Sequence, residues 1–477
     1  MKKMMCFLLA CGLMAVQASY AMNLNVACPW DDVPSSPQIS HLAFYSHQGP
    51  GMLFEKGEQI DITCQAGLRS IGLKWSLCRN MLDTPFRTGQ AEALPANRFR
   101  IAFETEGLIP GFYDIHVELD TGSSNVVSRN RLEVRPVKGV CTFGWRPADM
   151  PITDSRPADF NAFWEAAKAN LSQIPLAPRE GKHELFDAAA IADYNVKYAC
   201  LPPDYNPAGH RCETVESFKV DFAGPDGGRV YGWLARPAHA EGKKFPAMLV
   251  LPGAGITQRP RPLEHARHGY VAMDIHIHGL DVDLETYPGN LPGYYDPPKD
   301  VSAKDYYYYN VHLRCLQAVS YLASRPDVDA SRIVVVGGSQ GGRLSVVVAG
   351  LDTRIAAAVP AIAHFANQPY LKFWEACNRA KNDGMQTKGL PPNTPHAYAY
   401  YDPMNFAPDI RCPIFFNAGL TDTVSPAQCI WAIYNRIPEG VEKHITPLDG
   451  HGHDWSAAFD RNAWRWLDTV FEKQRGN

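Results

Sequence analysis

Ser339 lies in the stretch Gly337-Gly338-Ser339-Gln340-Gly341-Gly342, directly after the apolar run Ile333-Val334-Val335-Val336. Glycine loses more backbone entropy on folding than any other residue, so such a cluster signals tight backbone geometry. Gly-x-Ser-x-Gly between a strand and a helix is a nucleophile elbow, a turn so sharp that the serine is strained and side chains on its neighbours would collide. The turn lifts the hydroxyl above the sheet, and the helix N-terminus lends partial positive charge to anions there. A serine hydroxyl is a poor nucleophile near neutral pH and needs a positioned base. The chemistry implied is acyl transfer through a covalent serine intermediate, with the partners in the chain order Ser, acid, His.

The acid is expected just past a later strand. Ile414-Phe415-Phe416 leads into Asn417-Ala-Gly-Leu-Thr-Asp422-Thr-Val-Ser-Pro426, which makes Asp422 the candidate. Asp402 and Asp409 precede that strand and read as structural. Near the C-terminus, Leu448-Asp-Gly-His451-Gly-His453-Asp454 offers two histidines. His451 is favoured as the base, with His453 as a neighbour at the pocket. The oxyanion hole is expected to use the amide of Gln340, after the nucleophile, and one from the loop Pro252-Gly253-Ala254-Gly255, where Ala254 is the choice. His276 and His278 alternate, so both would face one side of a strand, with His265 and His268 nearby. Such pairs can ligate zinc. No acidic residue completes a recognisable site, so no metal and no cofactor is expected. His276, His278 and Tyr294 are expected at the pocket, as lining or hydrogen-bonding groups. Tyr306 to Tyr309 and Tyr294-Tyr295 fit either a sugar cleft or packing between helices.

The elements that must position these residues follow from patterning. Met248 to Leu251, Tyr270 to Met273, Ile333 to Val336, Ile355 to Val359 and Ile414 to Phe416 are continuous apolar runs alternating with helical segments near Asn310–Ser324 and Arg343–Asp352. Runs buried on both faces and separated by helices predict a mainly parallel sheet covered by helices. Phe218–Phe222, Pro225–Gly228 and Val230–Ala235 predict a hairpin. Asp159, Phe160, Phe163 and Trp164 open an amphipathic helix running to about Gln173.

The N-terminal part has a different rhythm. Between Ile39 and Val137 the apolar residues alternate, as in Ile71, Leu73, Trp75 and Leu77, in Phe99, Ile101 and Phe103, and in Tyr113, Ile115, Val117 and Leu119. Gly, Pro, Asn and Asp clusters separate the runs. This predicts an antiparallel, immunoglobulin-like β-sandwich over 22–140, about the length of one such domain. A linker is expected over 141–156 and the α/β catalytic domain over 157–477. Trp75 sits in a buried-looking alternation, which makes a glycan-binding role for the sandwich the weaker reading.

At 477 residues, two domains are the natural expectation. A net charge of −4 gives no basic stripe for nucleic acid. Met1-Lys2-Lys3, the apolar stretch to about Val16 and Ser19-Tyr20-Ala21 predict a secretory leader over 1–21, and therefore a periplasmic or extracellular protein. Leu8-Leu9-Ala10-Cys11 loosely resembles a lipobox, but the apolar run before it is short. No later stretch has the ~18 to 20 unbroken apolar residues of a membrane span. Two of the twelve cysteines fall in the leader. Export permits disulfides, and Cys64 with Cys78, or Cys200 with Cys212, are close enough in sequence to pair.

Several motifs carry a family likeness. Arg325-Pro-Asp-Val-Asp329 through the Ser339 elbow to Ala357-Ala358-Val359 resembles the acetyl xylan esterase and cephalosporin-C deacetylase family. So do Ala158-Asp-Phe-Asn-Ala-Phe-Trp164, Asp226-Gly227 with Tyr231-Gly-Trp233, Tyr401-Asp-Pro-Met-Asn-Phe-Ala407 and Gly419-Leu-Thr-Asp-Thr-Val-Ser-Pro426. The likeness covers the chain from about Arg156 onward. It implies an α/β-hydrolase that removes acetyl groups from sugars, with Ser339 as nucleophile, Asp422 as acid and His451, which lies 29 residues beyond Asp422 as in the family, as base. The family's usual Arg-Gly-Gln after the strand ending in Asp is replaced here by His276-Ile277-His278-Gly279. Family members form homo-oligomeric rings, and the additional sandwich leaves the assembly open. Two rival readings stand beside this one: the same machinery acting on a larger ester, thioester or peptide, and an inert carbohydrate-binding protein.

Overall fold

The structure is a computed structural model that describes residues 42–46, 52–122, 126–128, 131–133, 137–198, 209–239, 241–294, 300–371, 396–454 and 456–476. The expected leader over 1–21, Cys28, Cys200, Cys377 and Tyr295 lie outside the described residues.

Among the described residues, the N-terminal region holds a separate two-stranded pair, Val126–Ser128 with Arg131–Glu133, and two facing sheets. One carries four strands in the order Leu42–Ser46, Ile60–Ala66, Arg98–Phe103, Glu92–Leu94. The other carries five, in the order Leu53–Phe54, Val137–Trp145, Gly111–Asp120, Gly72–Arg79, Arg87–Gln90. The alternating residues Leu73, Trp75, Leu77, Phe99, Ile101, Ile115 and Val117 fill the space between the sheets, and Trp75 stacks on Phe103 at 5.2 Å. Ile71 departs from the pattern. It precedes its strand, and the turn leaves it 71% exposed.

The expected linker over 141–156 starts too early. Cys141–Trp145 completes a strand that pairs along its whole length with Gly111–Asp120. These five residues are all buried, so the period-two signal vanishes where both faces of the strand are covered. Cys64 and Cys78 sit in different sheets, and Cys64 and Cys212 are free thiols.

The C-terminal region is built on a ten-stranded mixed sheet. The expected hairpin forms an antiparallel pair, Val215–Ala223 with Arg229–Pro237. Arg229–Pro237 then pairs antiparallel with Val271–His276. From there six strands run parallel in the order Val271–His276, Phe245–Leu251, Val328–Gly338, Ile355–Ala361, Ile414–Gly419, Lys443–Leu448. The sheet is therefore mostly, not wholly, parallel. Helices Phe160–Ser172, Tyr308–Ser324, Gln340–Leu351, Ala427–Arg436 and Ala457–Gly476 accompany it. Among the described residues, no helix is long and apolar enough to cross a membrane.

Strand order reverses at Phe245–Leu251, which lies between the next strand in sequence and the later Val328–Gly338. Open α/β sheets bind ligands at the carboxyl ends of strands beside such a switch. Leu251 and Gly337 are register partners there, so the loop 252–255 and the Ser339 turn emerge side by side. A Cβ on Gly253 would lie 3.9 Å from the Gly338 carbonyl oxygen.

The two regions meet at the helix Ala427–Arg436. Phe112 packs on Trp431 at 4.8 Å, and the Phe112 amide donates to Gln428 Oε1 at 3.1 Å. A second contact joins the Tyr370 hydroxyl, as donor, to the Asn80 carbonyl. The strand residue Asp114 shapes the Asn80 loop by accepting from Asn80 Nδ2, the Met81 amide and Thr142 Oγ1.

Candidate active site

Ser339 caps the helix Gln340–Leu351 with φ 57° and ψ −116°, a left-handed backbone that ordinary residues adopt only under constraint. The surrounding glycines are required by contact. A Cβ on Gly341 would fall 2.1 Å from the Leu251 carbonyl oxygen, and one on Gly342 would fall 2.3 Å from that of Ala361. The turn is pinned by the Ser339 amide, which donates to Ala361 O at 3.0 Å, and by the His364 amide, which donates to Ser339 O at 3.2 Å.

The Ser339 hydroxyl reaches His453 Nε2 at 2.9 Å, and His453 Nδ1 reaches Asp422 Oδ2 at 2.8 Å. In the neutral ring only the tautomer protonated at Nδ1 satisfies both contacts: Nδ1 donates to the carboxylate and Nε2 accepts from the hydroxyl. Asp422 is 1% exposed. Its other oxygen accepts from the amides of Val424 and Ser425, both at 2.7 Å, which leaves Oδ2 aimed at the imidazole.

The base position is therefore held by His453 and not by His451. The His451 carbonyl accepts from the Thr421 amide at 3.0 Å and from Thr421 Oγ1 at 2.8 Å. This fastens residue 451 beside the acid loop by its backbone, and its ring turns to Asp454 at 3.1 Å. Gly452 then crosses close over Gly419, where a Cβ would meet Gly452 O at 2.4 Å. The next side chain, His453, falls between Asp422 and Ser339. A local sign was present in the sequence: Asp454, three residues after His451, supplies that histidine with a partner of its own. Asp402 and Asp409 stand elsewhere. Asp402 caps the turn Pro403–Phe406 and also holds the amides of Asn367 and Gln368, and Asp409 pairs with Arg156.

Of the residues expected at the pocket, His276, His278 and Tyr294 are buried. His276 is 1% exposed and stacks on Tyr287. Burial pushes its pKa down to about 3. His278 is buried too and is pushed down to about 4 by loss of solvent. Its Nδ1 meets the Tyr307 hydroxyl at 2.6 Å and its Nε2 meets the Gly255 carbonyl at 3.1 Å. Tyr294 is 5% exposed. Tyr306 and Tyr308 are core residues at the start of the helix Tyr308–Ser324, so at these positions the tyrosine run packs between elements and does not line an open cleft.

Ala254 is exposed at the carboxyl end of its strand. Its amide finds no acceptor among the described residues. Gln340 opens its helix, where an amide has no intrahelical acceptor. Its side chain, which sequence reasoning had not singled out, accepts at Oε1 from Tyr294 at 2.9 Å and from Tyr308 at 2.7 Å, and donates from Nε2 to Gly253 O at 3.2 Å. His364 lies beside the triad. Loss of solvent, then Arg343 and His453, push it down to about 4, so it stays neutral at pH 7 and does not compete for the proton.

Comparison with known proteins agrees with this architecture. The family model for acetyl xylan esterase (AXE1) matches residues 194–470. The acetyl esterase Axe7A of Xylanibacter ruminicola is 30% identical over 374 residues, 74% of each chain. The solved acetyl xylan esterase from Paenibacillus sp. R4 is 27% identical, with a TM-score of 0.50 over 68% of this chain and 98% of its own. Acetyl xylan esterase 1 from Thermoanaerobacterium sp. JW/SL YS485, at 20% identity and a TM-score of 0.52 over the same shares, supports the fold.

Proposed function

The chain belongs to the acetyl xylan esterase family of carboxylic ester hydrolases, and we propose that it is an exported serine esterase that removes acetyl groups from xylan-type polysaccharides or oligosaccharides. One observation carries the serine mechanism: the continuous relay from Ser339 through His453 to Asp422, at 2.9 and 2.8 Å. The names of the relatives favour acetate over a larger acyl group.

In this reading Ser339 Oγ attacks the acetyl carbonyl while His453 Nε2 takes its proton. Asp422 holds the ring in the Nδ1–H tautomer and stabilises the imidazolium that forms. The amides of Gln340 and Ala254 take the negative charge that develops on the carbonyl oxygen. As the tetrahedral intermediate collapses, the C–O bond to the sugar breaks and His453 returns the proton to the departing oxygen. Water, deprotonated by His453, then attacks the acetyl-serine ester and releases acetate. The leader motif over 1–21 supports export. The Tyr113 hydroxyl, bonded to both backbone groups of Ile109, is a corner of the kind found in immunoglobulin-like sandwiches and supports that reading of the N-terminal region.

The test is acetate release from acetylated xylan and from small acetylated sugars, beside 4-nitrophenyl butyrate and beside Ser339→Ala. Acetate release that disappears in Ser339→Ala is expected. Hydrolysis of butyrate with no acetate released from any sugar would remove the acetyl assignment, and activity retained in Ser339→Ala would remove the serine mechanism.

A further inference from the structure

The two amides assigned to the oxyanion come from segments 86 residues apart, so something must hold them in a common geometry. The loop after Leu251 is irregular, and Ala254 itself is exposed, so its own side chain does not fix it. What fixes it is polar. A trans peptide points its C=O and its N–H in opposite directions. The Gly253–Ala254 peptide is gripped at its oxygen by Gln340 Nε2 at 3.2 Å. Its N–H, the one assigned to the oxyanion, is therefore turned away from the Gln340 side chain. The following peptide is gripped at its nitrogen, where the Gly255 amide donates to the Tyr294 hydroxyl at 3.0 Å. The Gly255 carbonyl is held in turn by His278. Both peptide planes that flank Ala254 are thus anchored.

The anchors converge on one group. The Tyr294 hydroxyl, having accepted from Gly255, donates to Gln340 Oε1 at 2.9 Å, and the Tyr308 hydroxyl donates to the same oxygen at 2.7 Å. Both lone pairs of the amide oxygen are used, which sets the Gln340 amide with its nitrogen toward Gly253. Gln340 is 3% exposed, so water does not compete for these bonds.

We infer that the Gln340 side chain, oriented by Tyr294 and Tyr308, is a positioning group that aims the Ala254 amide at the developing oxyanion while the Gln340 backbone amide supplies the other donor. This rests on the serine-esterase reading above and extends it: one residue donates through its main chain and sets the second donor through its side chain.

The test uses the full chain with 4-nitrophenyl acetate as substrate and a methyl trifluoromethyl ketone as probe. The ketone forms a serine hemiketal whose oxygen occupies the oxyanion position. Gln340→Glu keeps an acceptor for both tyrosines but cannot donate to Gly253 O. Tyr294→Phe removes the Gly255 anchor and one tyrosine donor while keeping the ring. In both variants kcat is expected to fall on the order of 10- to 100-fold, less than the ~10²- to 10³-fold for outright loss of one oxyanion donor, because the donor is misaimed and not removed. KM should stay within about twofold, and affinity for the ketone should fall by the same factor as kcat. Unchanged kcat in folded Gln340→Glu and Tyr294→Phe would overturn the inference. So would a kcat loss without loss of ketone affinity, which marks a merely structural role. If Gln340→Glu does not fold, Tyr294→Phe decides alone. Ser339→Ala separates the two readings: if it still hydrolyses the ester, the esterase reading fails, whereas if it is inactive while Gln340→Glu is normal, only the positioning role fails.

Discussion

Removing the His453 ring leaves the Ser339 hydroxyl without an acceptor and Asp422 Oδ2 facing an empty space. Loss of a triad member typically costs about 10⁴-fold or more in kcat, with a residual rate from the oxyanion hole. His453→Ala is therefore expected to lose at least about 10⁴-fold in kcat for 4-nitrophenyl acetate. His451→Ala is expected to stay within about threefold, because that ring pairs with Asp454 and the work of residue 451 is done by its carbonyl. Steady-state kinetics on the two variants decide the matter, and the reverse ranking would return the base to His451. The local pattern around the nucleophile and the acid is readable in the chain because each is a short motif with its own steric logic. The choice between two histidines one residue apart is not local. It is made by Thr421, which grips the His451 carbonyl from 30 residues away, and a count of residues from Asp422 carries no trace of that grip.

The strand ends carry the site by letting backbones approach one another more closely than side chains would permit. Gly419 ends the strand Ile414–Gly419 under the loop that bears the base, where a Cβ would meet Gly452 O at 2.4 Å and His451 O at 2.7 Å. Backbone cannot swing aside as a flexible side chain can, so Gly419→Ala should displace the loop and His453 with it. The expected result is a loss of at least about tenfold in kcat together with about 1–3 kcal/mol of stability. Gly452→Ala is the control. Its Cβ would meet nothing within 4 Å, so activity within about twofold of wild type is expected, and equal damage from both changes would refute the argument. At this scale the parallel strands were legible because burial on both faces writes continuous apolar runs. The end of Val137–Trp145 was not, because a strand covered on both faces in an otherwise alternating region loses its period. The buried tyrosines at 306 and 308 could not be told from a cleft by their spacing, since only the elements packed around them decide which way they face.

Across the whole molecule, the N-terminal sheets brace the catalytic region through the helix that follows the acid loop. Trp431→Ala would open a cavity against Phe112, with an expected cost of about 3–5 kcal/mol, measurable by chemical denaturation. A second molecular property comes from histidines held neutral inside the fold. Burial pushes His265 and His278 down to about 4, and His268 and His276 to about 3. Burial also holds His312 well below its ordinary value among aromatic rings, with no hydrogen-bond partner for either nitrogen among the described residues. In the unfolded chain these rings titrate near 6.5. Above that pH they are neutral in both states and cost nothing. As pH falls through 6.5 toward 5 the unfolded chain binds protons that the folded chain refuses, so stability is lost on acidification. At pH 5 each fully buried ring contributes a loss of about 2 kcal/mol. Asp402 acts in the opposite sense, since burial raises it to about 6 and its protonation favours the fold below that pH. Burial raises Asp114 and Asp274 in the same sense, but these few carboxyls do not offset the larger number of buried histidines. Denaturation should therefore give clearly lower stability at pH 5 than at pH 7, and His312→Leu should show a smaller difference between the two than wild type. Equal stability at both values, or an unchanged difference in His312→Leu, would mean that the rings are protonated within the folded protein.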